Sequence, residues 1–154
     1  MIGRLAHYSV RAKDLEASTA FYTEALGLCV GPRPPFGFPG VWLYFAQDEA
    51  RSEQGCVHLI GDGDGDAAVR DGYLGSRPNS DGSSAGAFDH IAFFAADWPA
   101  CRERLDALAV RYTERLVPIL GVRQVFLADP DGLTIELNYD VAVARPKGTP
   151  TIDL

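Results

Sequence analysis

Four side chains in this sequence could together bind a metal ion. The chain has three histidines, His7, His58 and His90, and each lies in a short apolar stretch typical of a β-strand. Glu136 occupies a fourth such stretch, where a carboxylate without a partner would be costly to bury. Imidazole and carboxylate groups suit Zn, Fe, Ni, Mn or Co. The residue types therefore predict a site for one divalent metal ion.

The spacing of these residues follows an internal repeat. His7 and His90 are 83 positions apart, and Asp14 and Asp97 recur at the same offset, each ahead of a helical pattern. His58 lies in the last predicted strand of the first half, and Glu136 lies in the last predicted strand of the second half. Each half thus contributes one polar residue from its first strand and one from its last. Pairing of the two halves would bring the four together.

Apolar periodicity places these residues on two modules, each with the order β-α-β-β-β. The first module covers about 3–60 and the second about 88–140. We expect one helix at 14–26 and another that starts near Asp97, each with an aspartate as its N-cap. The expected strands lie at 3–10, 28–30, 41–45, 56–60, 88–94, 110–112, 121–128 and 133–139. The sequence therefore predicts a single α+β domain over residues 1–154.

Two segments lie outside this pattern. Residues 61–87 are rich in Gly, Asp and Ser, which predicts a flexible linker or lid between the modules. The alternating aspartates from Asp62 do not make a calcium loop, because the twelfth position holds Tyr73 instead of a glutamate. The tail, 141–154, has no periodicity, and we expect a strap or a disordered end.

Composition argues against several classes of function. A net charge of −7 and a pI near 4.8 argue against a nucleic-acid-binding protein, which needs a basic face. No apolar run reaches the roughly 20 residues that span a bilayer, and the first residues do not resemble a signal peptide. The three scattered cysteines predict no disulfide framework and a cytoplasmic location.

Three motifs suggest a family. They are FYTEALGL at 21–28, DHIAF at 89–93 and FLADPDGLTIE at 126–136. With them the chain resembles the vicinal oxygen chelate superfamily, which includes glyoxalases, bleomycin resistance proteins and extradiol dioxygenases. The resemblance implies paired βαβββ modules that form a cupped mixed sheet, a divalent metal ion and a homodimer.

The resemblance also implies roles for the four polar residues. His7, His90 and Glu136 match the ligand positions shared by metal-using members, and His58 matches the position of a glutamate in glyoxalase I and a glutamine in methylmalonyl-CoA epimerase. The implied function is that of a lyase or isomerase that moves a proton next to a metal-bound carbonyl or enediolate of a small-molecule substrate. Glu136 would then serve as ligand and base together, or His58 would act as the base.

Two alternative functions follow from the same family. His7, His90 and Glu136 also make the two-histidine, one-carboxylate set of non-haem Fe(II) dioxygenases. However, Arg123 and Phe126 stand where the fuller extradiol signature has a histidine and a tyrosine. The second alternative is drug binding without a metal, in a groove of aromatic side chains, with Phe36, Phe38, Trp42, Tyr44 and Trp98 as candidates.

Four further residues are candidates for contact with the substrate. Ser9 follows His7 by two positions, which places both on one face of a strand. Trp42 is the aromatic candidate of the third strand, and Arg123 could anchor an anionic group. Tyr139 lies close to Glu136 in sequence and could donate a hydrogen bond.

Overall fold

Each half of the chain contains a four-stranded mixed sheet. The computed structural model describes residues 5–46, 55–61, 69, 72, 89–118 and 121–141. The chain divides into two compact units, residues 1–87 and 88–154. The predicted linker at 61–87 lies outside the described residues except at positions 61, 69 and 72, and the tail lies outside them after residue 141.

The first unit has the predicted β-α-β-β-β order. Its strands are β1 (Tyr8–Ala12), β2 (Cys29–Gly31), β3 (Gly40–Tyr44) and β4 (Val57–Gly61), and its helix α1 spans Leu15–Ala20. The strands lie in the order β1-β4-β3-β2. β1 pairs with β4 in parallel, and the other two pairs are antiparallel.

The helix of the first unit covers the predicted residues but changes its type along its length. The Asp14 carboxylate accepts a 2.9 Å hydrogen bond from the Ala17 N–H, which confirms the N-cap. The α-helix stops at Ala20, however, and Phe21–Ala25 continue as a π-helix. The hydroxyl groups of two threonines, Thr19 and Thr23, donate to carbonyl oxygens one turn earlier. Such hydroxyl groups compete with the backbone for its acceptors and favour a wider turn, which apolar periodicity does not reveal.

The second unit repeats this order. Its strands are β5 (His90–Ala95), β6 (Tyr112–Val117), β7 (Val122–Ala128) and β8 (Thr134–Asp140), and its helix α2 spans Trp98–Ala107. The strands lie in the order β5-β8-β7-β6, with β5 and β8 parallel. The Asp97 carboxylate accepts a 3.2 Å hydrogen bond from the Ala100 N–H, so the second predicted N-cap is also confirmed.

The prediction for β6 was wrong in both position and length. A strand was expected at 110–112, whereas the observed strand begins at Tyr112 and pairs with β7 as far as Val117. Four consecutive residues of β6 are exposed, so its sequence lacks the apolar alternation that marks a half-buried strand. Polar contacts to β7 help to hold it instead, including a 2.7 Å hydrogen bond from Arg115 Nε to Gln124 Oε1.

One face of each sheet is apolar and buried. In the first unit this face includes Val10, Leu43, Val57 and Leu59, and in the second it includes Val125, Leu127, Ile135 and Leu137. The predicted α+β class and the βαβββ order are therefore confirmed, whereas the joining of the sheets into one cup stays a prediction. Among the described residues, the helices are too short or too polar to cross a bilayer.

We expect the turn before β8 to depend on Asp129, which is buried and accepts hydrogen bonds from the N–H groups of Asp131 (3.0 Å) and Leu133 (2.8 Å). Asp129→Ala should lower the free energy of unfolding by about 1–3 kcal/mol, because it leaves two partly buried N–H donors without their acceptor. Asp129→Asn keeps one oxygen acceptor and should lose less. Urea denaturation measures both, and equal losses in the two variants would contradict this account.

Candidate functional site

In the first unit, three of the predicted site residues share one face of the sheet. Ser9 pairs with His58 across the parallel ladder, and Trp42 pairs with His58 across the antiparallel one. Directly paired residues point to the same side of a sheet, so the three form a row. This face lies opposite Val10 and Leu59, as the alternation predicts.

His7 joins this row through its ring. The His7 and His58 ring centroids are 3.8 Å apart and their planes differ by 17°. On the other side, the Trp42 ring lies 4.1 Å from His58 with an interplanar angle of 5°. His58 is thus held between two parallel rings and is only 8% exposed.

Each of the two imidazoles has a buried nitrogen without a hydrogen-bond partner among the described residues. These atoms are His7 Nδ1 and His58 Nε2. The ring of His58 also forms a hydrogen bond with the backbone of Gly55, which leaves Nε2 as the atom that still needs a partner. Buried polar atoms normally have a hydrogen-bond partner. In a neutral imidazole, the nitrogen that carries no proton can bind a cation instead.

The surroundings of His58 keep its ring neutral. Burial, followed by the nearby His7, lowers the pKa of His58 from 6.5 to about 4, although the hydrogen bond to Gly55 acts in the opposite direction. A low pKa suits a metal ligand, which must be deprotonated. It makes His58 a weak base.

In the second unit, His90 and Glu136 lie together. His90 Nε2 is 3.1 Å from Glu136 Oε2, and the opposite ring nitrogen, Nδ1, lies 2.7 Å from a carboxylate oxygen of Asp89. Glu136 is only 6% exposed. The structure therefore brings together the two predicted ligands of the second module.

Two amide side chains that the sequence analysis did not identify also contact Glu136. Gln124 Nε2 and Asn138 Nδ2 each donate a 2.7 Å hydrogen bond to Glu136 Oε1. Asn138 follows Glu136 by two positions, so strand alternation alone could have placed it on this face. Gln124 could be found only from the register of β7 on β8, in which it lies opposite Asn138.

Two predicted substrate contacts lie on the other face of this sheet. Tyr139 is three positions from Glu136, and Arg123 pairs with Tyr139, so both point to the side of helix α2. There the Tyr139 ring lies 5.4 Å from Trp98, and Arg123 lies over Trp98 and pairs with Glu114. Burial raises the pKa of the Tyr139 hydroxyl, which therefore stays protonated. Arg123 and Tyr139 therefore lie away from the face of the sheet that carries Glu136.

The residues present suit a divalent cation chemically. Each unit holds one pair of predicted ligands, with unpartnered imidazole nitrogens in the first and a carboxylate oxygen facing an imidazole in the second. Among the residues that the structure describes, His, Cys, Asp and Glu side chains do not form a group of three or more that could hold a metal ion. Two ligands are fewer than the three or four protein ligands usual for a metal such as zinc.

Comparisons with known proteins point to one family. The family model of the Glyoxalase/Bleomycin resistance protein/Dioxygenase superfamily matches residues 4–137. A lactoylglutathione lyase from Pseudomonas putida is 29% identical over 150 residues, with 85% of this chain and 82% of the relative covered. An ethylmalonyl-CoA/methylmalonyl-CoA epimerase from Cereibacter sphaeroides is 30% identical over 124 residues, with coverage of 79% and 82%. One relative is a lyase and the other an epimerase, in agreement with the predicted glyoxalase-type function.

A solved structure shows the same fold. It is a variant of the fosfomycin resistance protein FosX from Listeria monocytogenes, in complex with Mn(II) and a dihydroxypropylphosphonic acid. The TM-score is 0.61 at 21% identity, with 92% of this chain and 95% of that chain covered. At this identity the likeness supports the fold alone.

We expect the stability of the metal-free protein to fall as the pH decreases from 6.5 toward 4. In that range the unfolded chain binds a proton on His58 that the folded protein does not, because the folded-state pKa is lowered to about 4. The pKa difference corresponds to about 3 kcal/mol at most. His58→Gln cannot titrate and should lose less stability over this range. Urea denaturation with a chelator, at neutral pH and at about pH 4, measures both proteins, and an identical pH dependence would contradict the assignment.

Proposed function

The chain belongs to the Glyoxalase/Bleomycin resistance protein/Dioxygenase superfamily, and on that premise we propose that it is a metal-dependent enzyme that moves a proton next to a thioester carbonyl. The two relatives' names include lactoylglutathione and methylmalonyl-CoA. Both compounds are thioesters with a C–H bond next to the carbonyl group. Proton transfer at that carbon is the chemistry they share, and it defines the proposed class of small-molecule substrate.

The observation that carries the proposal is the pair formed by His90 and Glu136. One oxygen of a buried carboxylate is held by two amides, and the other faces an imidazole 3.1 Å away. We propose that His7, His58, His90 and Glu136 are the ligands of one divalent ion, and their nitrogen and oxygen donors suit Zn, Ni, Co, Mn or Fe. When bound, the cation would supply Lewis acidity that stabilises negative charge on the carbonyl oxygen.

In this proposal Glu136 takes the proton from the carbon next to the carbonyl and returns it. A carboxylate in a site that excludes water can act as a general base. His58 is the weaker candidate for this role, since its pKa is about 4 and its ring is stacked between His7 and Trp42. His58 therefore serves as a ligand. Ser9 and Trp42 share its face of the sheet and are the proposed substrate contacts.

Drug binding without a metal is the second candidate function. It is favoured by the aromatic rings next to the row of the first unit, where the Phe36 ring lies 5.6 Å from Phe38 and 6.1 Å from Trp42. The buried Glu136 and the unpartnered imidazole nitrogens argue for the enzyme, because a binding protein of this kind does not need them.

We expect the purified, untagged protein to contain a divalent metal and to exchange the proton next to the thioester carbonyl of lactoylglutathione or methylmalonyl-CoA with solvent deuterium. Glu136→Gln should lower both the metal content and the exchange rate, the latter by at least about 100-fold. Elemental analysis and proton NMR in D₂O measure these quantities.

A matched control is Glu103→Gln, which makes the same change on the exposed surface of α2 and should leave both quantities unaltered. Unchanged metal content and exchange rate in Glu136→Gln would remove the proposal. Absence of metal, together with ligand affinity that chelator treatment does not alter, would favour the binding function instead.

We also propose that the protein is a cytoplasmic homodimer. Its three cysteines are free, as expected in a reducing compartment. Phe94 is 60% exposed and Leu116 is 55% exposed, on opposite faces of the second sheet, and burial of either side chain against a second copy would be favourable. Analytical ultracentrifugation should give twice the chain mass of 16.6 kDa, and a mass equal to one chain at micromolar concentration would contradict the dimer.

A further inference from the structure

A network of polar side chains surrounds Glu136 on its face of the second sheet. Directly paired residues place Arg115, Gln124 and Asn138 in one row across β6, β7 and β8. Glu136 lies in the next row on the same face, two positions before Asn138. All four side chains of the network therefore belong to the second unit.

Within the network, the two oxygens of Glu136 have different surroundings. Oε1 accepts hydrogen bonds from Gln124 Nε2 and Asn138 Nδ2, both 2.7 Å long. Oε2 lies 3.1 Å from His90 Nε2. The two amides thus occupy one oxygen and leave the other directed toward the imidazole.

Arg115 determines which end of the Gln124 amide points toward Glu136. Arg115 Nε donates a 2.7 Å hydrogen bond to Gln124 Oε1, and a guanidinium group can only donate. The oxygen end of the amide must therefore face Arg115, and the NH₂ end must face the carboxylate. The guanidinium is itself held over the Phe126 ring, 5.1 Å from its centroid.

Gln124 and Glu136 are both buried, so the loss of a hydrogen bond between them would not be compensated by solvent. Gln124 is 9% exposed and Glu136 is 6% exposed, so water cannot readily replace a lost donor at the carboxylate. A buried carboxylate without its donors is costly. A carboxylate that loses them would therefore turn toward another partner.

From these contacts we infer that Gln124 is a positioning residue. Held by Arg115, it fixes the Glu136 carboxylate so that Oε1 is occupied by the two amides and Oε2 stays beside His90, in the orientation in which the proposed site would bind a cation. The inference rests on the proposed function only where it concerns the metal. The orientation of the carboxylate itself can be tested without metal.

The test compares the wild-type protein with Gln124→Met, which keeps the length of the side chain and removes both the donor and the acceptor. Isothermal titration of metal-free protein with Co(II) should show an affinity about 10–100-fold weaker in the variant, as expected when a group that orients a ligand is lost. The visible absorption spectrum of bound Co(II) should shift as well, because the ligand oxygen is no longer held in one orientation.

A second variant protects the test against a failure to fold. Arg115→Met changes an exposed side chain, releases the Gln124 amide and should weaken Co(II) binding in the same direction but less. Arg111→Met removes the same charge from an exposed position just before β6 and should bind Co(II) as the wild type does. A role of Gln124 in stability alone would change the denaturation midpoint and leave affinity and spectrum as in the wild type, which would overturn the inference.

Crystal structures of the metal-free wild type and of Gln124→Met, or of Arg115→Met if the first variant does not fold, separate this inference from the proposed function. We expect the Glu136 carboxylate to rotate in the variant, so that Oε2 no longer lies beside His90. An unmoved carboxylate would overturn the inference, whatever the metal content. Failure of the wild type to bind Co(II) would overturn the proposed function, while a rotated carboxylate in the variant would still support the positioning role.

Discussion

The second unit depends on one constraint: the carboxylate of Glu136 is buried on one face of the sheet, and a buried carboxylate needs hydrogen-bond donors around it. Glu136 has neighbours with opposite preferences in its own strand, because Ile135 and Leu137 are buried on the other face. The register of β8 cannot slip by one residue without exchanging these faces. Hydrogen bonds from Gln124 and Asn138 and apolar burial therefore act together to specify the register.

The first unit orients its polar side chains by ring stacking. Its polar site residues are imidazoles, and they are held by stacking between flat rings at separations of 3.8 and 4.1 Å. Stacking fixes the ring planes without using the nitrogens, so His7 Nδ1 and His58 Nε2 remain available. The same topology thus orients the polar side chains of the two units in different ways, through aromatic contact in the first and through hydrogen bonding in the second.

Much of this could be predicted from the sequence, because strand alternation and helix caps are local. The β-α-β-β-β order and both aspartate N-caps follow from patterns within a few residues. The pairing of Gln124 with Asn138 depends on strand register, which local patterns do not contain. Tyr139 is different, since its odd spacing from Glu136 within one strand already implies the opposite face, so strand alternation alone separates it from the Glu136 side of the sheet.

The two pairs of proposed ligands also differ in residue type, and this difference bears on the proposed chemistry. The low pKa of His58 keeps that imidazole neutral at physiological pH, whereas Glu136 is the only carboxylate of the four. In the proposed site, a divalent cation bound by neutral imidazoles and one carboxylate ligand would keep one net positive charge. Such a centre attracts a neutral carbonyl oxygen weakly, and it attracts the same oxygen more strongly once negative charge develops on it. Differential stabilisation of this kind accelerates proton removal from the neighbouring carbon.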